Sequence, residues 1–357
     1  MAKGSSVIAV DGNRKGETLV NTSVPWPADT SEAWARVLTM QTKLHRWATG
    51  DPARRFDDVF NLVYDPAFLA AAWNRVSGNK GGRTAGVDGI APRSVTPDRV
   101  AGMLTGLRES VKNGEFVPER VRQKSIPKAN GKVRSLGIPT MTDRIVQASL
   151  KLVLEPIFEA DFMPSSYGFR PRRRAQDAIA EIHFYASRGY VQVFEADITA
   201  CFDEIDHDAL MQRVRSRITN KRVLRLIRGF LKAGVLSEDG VNRDTFTGTP
   251  QGGILSPLLA NIALSVVDEH FQRKWDALGP QWSRTKHQRP GGAPMKMVRY
   301  QDDFVVLVPG TQADAEALWA EVADVLAPMG LRLSVEQTTV THLATGSDSL
   351  GSPLHRR

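Results

Sequence analysis

The chain of 357 residues contains one cysteine, Cys201, so no intrachain disulfide can form and no thiolate cluster can hold a metal. Its seven histidines are scattered and show no zinc-ligand spacing. No apolar run approaches the roughly 18 residues of a membrane-spanning helix, and the N-terminus lacks a secretory-signal pattern. Internal repeats, low-complexity tracts and coiled-coil heptads are also missing. These absences exclude a disulfide scaffold, a zinc domain, a helical membrane protein and a solenoid. The expectation is a soluble, cytoplasmic chain with no membrane partner.

What is present is length and positive charge. The chain is long enough for two or more subdomains around a sizeable core. Lys and Arg number 47 against 39 Asp and Glu, a net charge of +8. That excess suggests a polyanionic partner, with nucleic acid ahead of an anionic membrane surface. An ordinary solvated surface would carry the same number.

Residues 1–30 are small, polar and proline-containing and read as a disordered leader. Helical spacing begins at SEAWARVLTMQTKLHRWA (31–48), with Thr30 or Ser31 as the cap, and resumes at AFLAAAWNRV (67–76). The four glycines of SGNKGGRTAGVDG (77–89) call for a flexible or closely packed backbone. Residues 120–139 read as a hairpin around KANGK, its Asn-Gly the turn signal, with basic residues along both arms. A strong amphipathic helix follows at 141–162, capped at Thr142 or Asp143, then an arginine-rich turn into another helix (165–186). YVQVFEADI (190–198) is a strand ending near Asp197; DALMQRVRSRI and KRVLRLIRGFLKAGVL are helices. A glycine-proline turn, TGTPQGG, feeds a long helix, and residues 330–343 hold a last strand or two.

RYQDDFVVLV (299–308) sets two aspartates side by side ahead of a β-forming run. A turn between strands accommodates them, since Asp tolerates turn geometry. A divalent cation that needs both carboxylates is the other explanation. The order strand, helices, hairpin, helix, strand fits an α+β chain with an antiparallel sheet, helices on one face, in a split βαβ arrangement. Asp197, Asp302 and Asp303 could then meet at one sheet edge.

Five blocks occur in one order with sensible gaps: SIPKANGKVRSLGIPTMTDRIVQASL, SYGFRPRRRAQDAI, ADITACFDEIDH, GTPQGGILSPLLANI and YQDDFVV. Together they closely resemble the reverse-transcriptase domain of group II intron-encoded proteins, the intron maturases, over about residues 31–345. NKGGRTAGVDG is similar to the N-terminal extension block of that family. The resemblance implies right-hand polymerase architecture. Residues 31–165, with 213–248, would form the extension and fingers, and 166–212 with 249–345 the palm. Residues 346–357 would be a truncated tail, with no thumb.

The implied activity is RNA-directed DNA synthesis from dNTPs onto a primer 3′-hydroxyl, with two Mg2+ ions as cofactor. The implied partners are a template and group II intron RNA and a DNA primer. Asp197, Asp302 and Asp303 resemble the catalytic carboxylates, with Asp302 the more direct metal ligand, and Ile198 would offer a backbone carbonyl. Phe202 stands where the family carries an aromatic gate against a nucleotide 2′-hydroxyl. Lys128 and Arg134 resemble the pair that grips the triphosphate. Gln251 would sit against the sugar, with Gly252 allowing close approach. Arg170, Arg172, Arg173 and Arg174 are candidates for template phosphates.

Three departures from the pattern stand out. Gln301 replaces a small residue, Gln337 stands where the family carries a lysine, and Ser347, Ser349 and Ser352 replace aromatics of the primer-grip strand. The family normally continues into a helical thumb and a maturase X domain, so a partner supplying these in trans, or a homodimer, is expected. The alternative to a polymerase is a catalytically impaired fragment that binds intron RNA as a splicing cofactor. A related cellular reverse transcriptase with a defence role is a third reading, which the NKGG…GVDG and SYGFRP blocks disfavour.

Overall fold

In the computed structural model the described residues are 25–127, 133–279 and 294–343, with two short strands at Ser347–Ser349 and Ser352–Leu354. α1 (Thr30–Gly50) starts one residue before the expected caps, because the Asp29 carboxylate accepts the Glu32 N–H at 2.8 Å. A carboxylate there also complements the helix dipole. After a single turn, α2 (Phe60–Val63), α3 (Pro66–Gly78) begins at Asp65 with proline in its first position. Asp65 also accepts from Arg36 of α1 at 2.5 Å, tying the two helices together. α4 (Pro97–Asn113) has no counterpart among the expected elements; it ends at Gly114, whose φ of 79° closes the helix.

α5 (Met141–Glu159) is the central helix, buried along most of its length. It starts at Thr140 rather than Thr142 or Asp143, since the Thr140 hydroxyl accepts the Asp143 N–H. The glycine-rich loop before it is closely packed. Arg144 donates to the carbonyls of Gly81, Thr84 and Pro139, and Arg122 donates to Ala85. A Cβ on Gly86 would lie 2.6 Å from the Thr140 Cα, so that glycine is required by contact.

The expected hairpin is β1 (Val121–Pro127) with β2 (Val133–Ile138), in the register Arg122 to Ile138 through Pro127 to Val133. Its KANGK turn, Lys128 included, lies outside the described residues. α6 (Ala175–Ala186), β3 (Gln192–Ala196), the turn α7 (Cys201–Glu204), α8 (His207–Arg217) and α9 (Lys221–Leu231) follow. Residues 221–236 are not one helix: α9 stops at Leu231, Gly234 takes a φ of 76°, and β4 (Val235–Leu236) runs parallel to β1. With β5 (Asn242–Arg243) this gives a sheet ordered β2-β1-β4-β5.

The second sheet is ordered β6-β7-β3-β8, all neighbours antiparallel, from β6 (Lys296–Tyr300), β7 (Asp303–Val308), β3 and β8 (Thr339–His342). Its helices lie on both faces, not one. Phe194, Phe304 and Val306 join the main core with α10 (Ser256–Ala277) and α12 (Leu318–Leu326). Val193, Val298, Val305 and Leu307 pack instead with Ala178 and Ile182 of α6. The strands are therefore apolar at consecutive positions, and period-2 alternation does not mark one face as solvated. α11 (Gln312–Glu316) connects β7 to α12. Residues 330–343 supply one strand, β8, preceded by an extended stretch with an isolated bridge from Leu333 to Ile198.

One buried ion pair clamps this sheet to α10. Arg299 of β6 and Asp268 of α10 are each 0% exposed, paired at 2.6 and 2.8 Å. The other guanidinium bonds go to Asn261 Oδ1, Ser166 Oγ and the Gln301 carbonyl. Asp268→Ala would leave a buried, uncompensated guanidinium and is expected to cost about 3–5 kcal/mol. Urea unfolding checks this, and a midpoint like wild type would mean that the pair is not a clamp.

Asp143 carries a second consequence. Burial, only partly offset by bonds from Thr140 and the Glu119 N–H, pushes its carboxyl up to about 7. A carboxyl raised in the folded state contributes stability that is fully present below its unfolded value near 4 and lost as pH rises through 7. Stability should fall from pH 4 to pH 8 by up to about 4 kcal/mol from this group, and Asp143→Asn should flatten that slope in melts across the range.

Candidate active site

β3 and β7 bring two of the three aspartates together. Their register runs from Gln192 opposite Val308 to Ala196 opposite Phe304. One step further sets Asp197 opposite Asp303, and directly opposed residues are within side-chain reach. The two carboxyls share a hydrogen bond. Asp302 occupies the two-residue turn that joins Tyr300 to Asp303.

Crowding bears on which of these groups hold their protons. Desolvation in the cleft, then the charges of Asp302 and Asp197, pushes the Asp303 carboxyl up to about 7, although the residue still faces water. Burial, then Asp302, raises the Cys201 thiol as well. A cavity of about 120 Å³ opens beside the pair, lined by Glu195, Asp197, Asp303 and Gln337. Glu195, two residues before Asp197 and on the same face of β3, was not anticipated; strand period alone would have placed it there.

Ile198 is buried, and its bridge to Leu333 is made by neighbouring groups: Ser334 N–H donates to the Asp197 carbonyl at 2.8 Å and Thr199 N–H to the Arg332 carbonyl at 2.9 Å. In that pattern the Ile198 carbonyl points to the opposite edge, the β7 side. Carboxylate and carbonyl oxygens are the donor set that Mg2+ prefers, and the mutual repulsion of the three aspartates favours a cation. Among the described residues, no three or more His, Cys, Asp or Glu side chains are arranged as a closed metal cluster.

The turn is strained and held from behind. Gln301 has a φ of 65° at the first position of a two-residue hairpin loop, a setting that favours glycine. Arg299 donates to its carbonyl at 2.7 Å. Gly168 packs against it so tightly that a Cβ would collide with the Gln301 amide nitrogen. The Gly168 carbonyl accepts from Asn261 at 2.9 Å, the Arg299 N–H donates to the Ser165 carbonyl, and the Tyr167 N–H donates to the Arg299 carbonyl. Arg299, Asn261, Asp268 and Gly168 were not anticipated as positioning residues. The available signal was an arginine within a mostly apolar strand and an aspartate directly after the apolar run of a long helix.

Phe202, on α7, is half-buried and meets the Phe169 ring edge-on at 6.2 Å between centroids. Gln251 Nε2 lies 3.4 Å from Asp203 Oδ2. The Gln251 carbonyl accepts the Gly137 N–H at 2.6 Å, and Gly252, at φ 109°, approaches the Gly137 carbonyl. The first sheet is thereby docked on the TPQGG loop. Arg134 is exposed on β2.

The four arginines separate. Arg170 must be withdrawn from the template contacts: its guanidinium is buried, paired with Glu159 at 2.7 Å and bonded to the carbonyls of Met163 and Ser166. Arg173 donates to the Pro164 carbonyl and lies over the Tyr167 ring. Arg174 pairs with Asp177 on an exposed helix start, and Arg172 is exposed at φ 61°. No helix among the described residues is long and apolar enough to cross a membrane.

Comparison with known proteins gives four findings. The family profile "Reverse transcriptase (RNA-dependent DNA polymerase)" matches residues 126–354. Protein YkfC of Escherichia coli K12 is 36% identical over 338 residues, covering 89% of this chain and 88% of that protein. The group II intron-encoded protein LtrA of Lactococcus lactis subsp. cremoris is 31% identical over 353 residues, covering 84% of this chain and 58% of LtrA. Among solved structures, a Candida albicans telomerase in complex with a fragment of telomeric RNA is similar with a TM-score of 0.48 and 14% identity, covering 73% of this chain and 48% of that chain.

Gly168→Ala tests the support behind the turn. The added methyl must displace the Gln301 backbone, so the variant is expected to lose stability by about 1–3 kcal/mol, in the range of overpacked cores. Thermal unfolding checks it, and an unchanged Tm would show that the turn relaxes freely.

Proposed function

The chain belongs to the reverse-transcriptase family, in its group II intron-encoded reverse transcriptase/maturase branch, and we propose that it copies RNA into DNA by adding dNTPs to a primer 3′-hydroxyl. The observation that carries this reading is the convergence of Asp197 with the Asp302–Asp303 turn at one sheet edge. In this reading Asp197, Asp302, Asp303 and the Ile198 carbonyl would hold two Mg2+ ions. Such ions, when bound, activate the attacking hydroxyl and stabilise the leaving pyrophosphate. Without a cation, the raised Asp303 carboxyl keeps part of its proton near neutral pH and bonds to Asp197.

The remaining roles belong to side chains around that edge. Phe202, braced by Phe169, would exclude a ribose 2′-hydroxyl by bulk. Gln251 would contact the sugar, next to Asp203. Arg134 would bind the triphosphate; Lys128, its expected partner, lies outside the described residues. Arg172, Arg173 and Arg174 remain template candidates. The division into fingers (31–165, 213–248) and palm (166–212, 249–345) fits the two sheets, and β4 and β5 lie on the first of them.

A second reading, an intron RNA-binding splicing cofactor with impaired catalysis, draws on Gln337. It lines the same cavity as Asp197 and Asp303. A neutral amide there cannot act as a cationic acid toward the leaving group. The chain spans 58% of LtrA, so splicing and mobility are proposals here.

Primer extension on an RNA template with dNTPs and Mg2+, comparing the chain with Asp302→Ala, decides between the two. A working polymerase should lose on the order of a hundredfold or more in the variant. No incorporation by either protein, with salt-sensitive RNA binding intact, would favour the cofactor.

A further inference from the structure

α9 carries five cations and no acid over residues 221–232: Lys221, Arg222, Arg225, Arg228 and Lys232. Its apolar side, Val223, Leu226, Ile227, Phe230 and Leu231, is buried, and Phe230 packs on Phe116. Lys221, Arg225, Arg228 and Lys232 follow the spacing i, i+4, i+7, i+11 and so form one stripe. At 1.5 Å per residue the stripe is about 16 Å long. Lys221, Arg222, Arg225 and Lys232 are exposed, whereas Arg228 pairs with Asp208.

An ordinary solvated helix face intersperses acids among its bases, because like charges at i, i+4 repel. This one does not. The acids around it are Asp208, already engaged; the exposed Asp57 and Asp58 at the N-terminal end, where the Asn220 side chain bonds the Asp57 carbonyl; and the exposed Glu115 and Glu119, beside the Phe116 and Pro118 that pack on Phe230 and Gly229. Two guanidiniums at that end are also held in place. Arg222 lies 4.5 Å over the Phe60 ring, and Arg54 lies 4.9 Å over the Trp47 ring. Ordering them beforehand lowers the entropy cost of binding an anion.

The rings under these arginines are covered: Phe60 is 4% exposed and Trp47 is half-buried. They offer no platform for stacking unpaired bases, which single-strand binders use. A straight row of cations suits the backbone of a double helix, which in RNA is recognised mostly by shape and phosphate contacts. α9 reaches the sheet that carries the carboxylates through two other helices: it packs on α8, α8 on α10, and α10 on β6.

We infer that the exposed face of α9 docks the phosphate backbone of a double-helical RNA segment, outside the polymerase cleft. This rests on the reading that the chain acts on RNA, and the test separates the two. The variant Lys221→Gln/Arg225→Gln/Lys232→Gln leaves Arg222 on its ring and Arg228 on Asp208, so folding is preserved and a thermal melt checks it. Binding of an RNA duplex of about 16 bp or more is followed by anisotropy between about 50 and 200 mM salt. The variant should bind about tenfold more weakly, with a log–log salt slope shallower by about 2–3 for three lost contacts. Extension of a short primer–template should be unchanged. Asp302→Ala should bind the duplex like wild type, whether or not the chain polymerises.

An unchanged slope overturns the proposal. Equal weakening of primer extension would place the face on the cleft's own substrate path and overturn it too. Tighter binding of the matched DNA duplex, with the same loss in the variant, would overturn the assignment to RNA.

Discussion

A buried guanidinium between β6 and α10 sets the geometry on which the site depends. Arg299, fully buried, uses its donors on a carboxylate, an amide oxygen, a hydroxyl and a main-chain carbonyl. Lysine could not do this: three rotating donors on one nitrogen cannot span partners on three separate segments. The cost of burying the pair is offset because each of the five N–H donors has its acceptor. Its consequence is positional. The SYGF segment, the long helix and the aspartate turn share one anchor, so the turn cannot shift without breaking bonds to both of the others.

That anchoring explains how an unfavourable backbone persists at the site. Gln301 is left-handed where glycine would be at ease, and two neighbouring carboxylates raise the energy of the same turn. Neither feature is stable locally. The Arg299 bond to the Gln301 carbonyl and the contact from Gly168 hold it from the core side. The carboxylates are thereby kept close although they repel. A second docking, Gly137 on Gln251 with Gly252 at close range, fixes the first sheet relative to the same cleft.

Much of this was legible in the sequence, and the unread parts have physical causes. Helices with one apolar stripe, such as α1 and α9, and the hairpin around its Asn-Gly turn could be read because burial on one side imposes a period. Caps were misplaced by one to three residues: Asp29 and Thr140 act from outside the periodic stretch. α4 was missed, and the single helix read over 221–236 ends where Gly234 turns the chain into β4. The second sheet was expected to have one open face because covering by α6 cannot be inferred from strands that are apolar throughout. Asp197, Asp302 and Asp303 could be named from motif order, and the structure brings Asp197 to Asp303. Their supports were invisible, since Gly168, Asn261, Asp268 and Arg299 matter through contacts between segments far apart in sequence.

The arginines show why net charge was a blunt guide. Arg144, Arg170, Arg217 and Arg299 are buried; Arg144, Arg217 and Arg299 each bind oxygens of distant segments, and Arg170 those of the segment just before it. They add four positive charges to the total yet offer none to a partner. A count of +8 therefore mixes internal fasteners with charges that face water. Sorting them requires knowing which carbonyls lack a partner within their own helix or turn. Arg217, for example, satisfies carbonyls at the C-terminal end of α1 and in the turn beyond it. Once these are set aside, the exposed cations are unevenly spread. α9 itself carries no acid and leaves Lys221, Arg225 and Lys232 of its row in water, while the cations on and just before β1 mostly meet partners: Arg120 pairs with Asp244, Lys124 with Glu238, and Arg122 is bonded to Ala85. Attraction for a polyanion is thus a property of particular faces, and the uneven spread, more than the sum, is what bears on function.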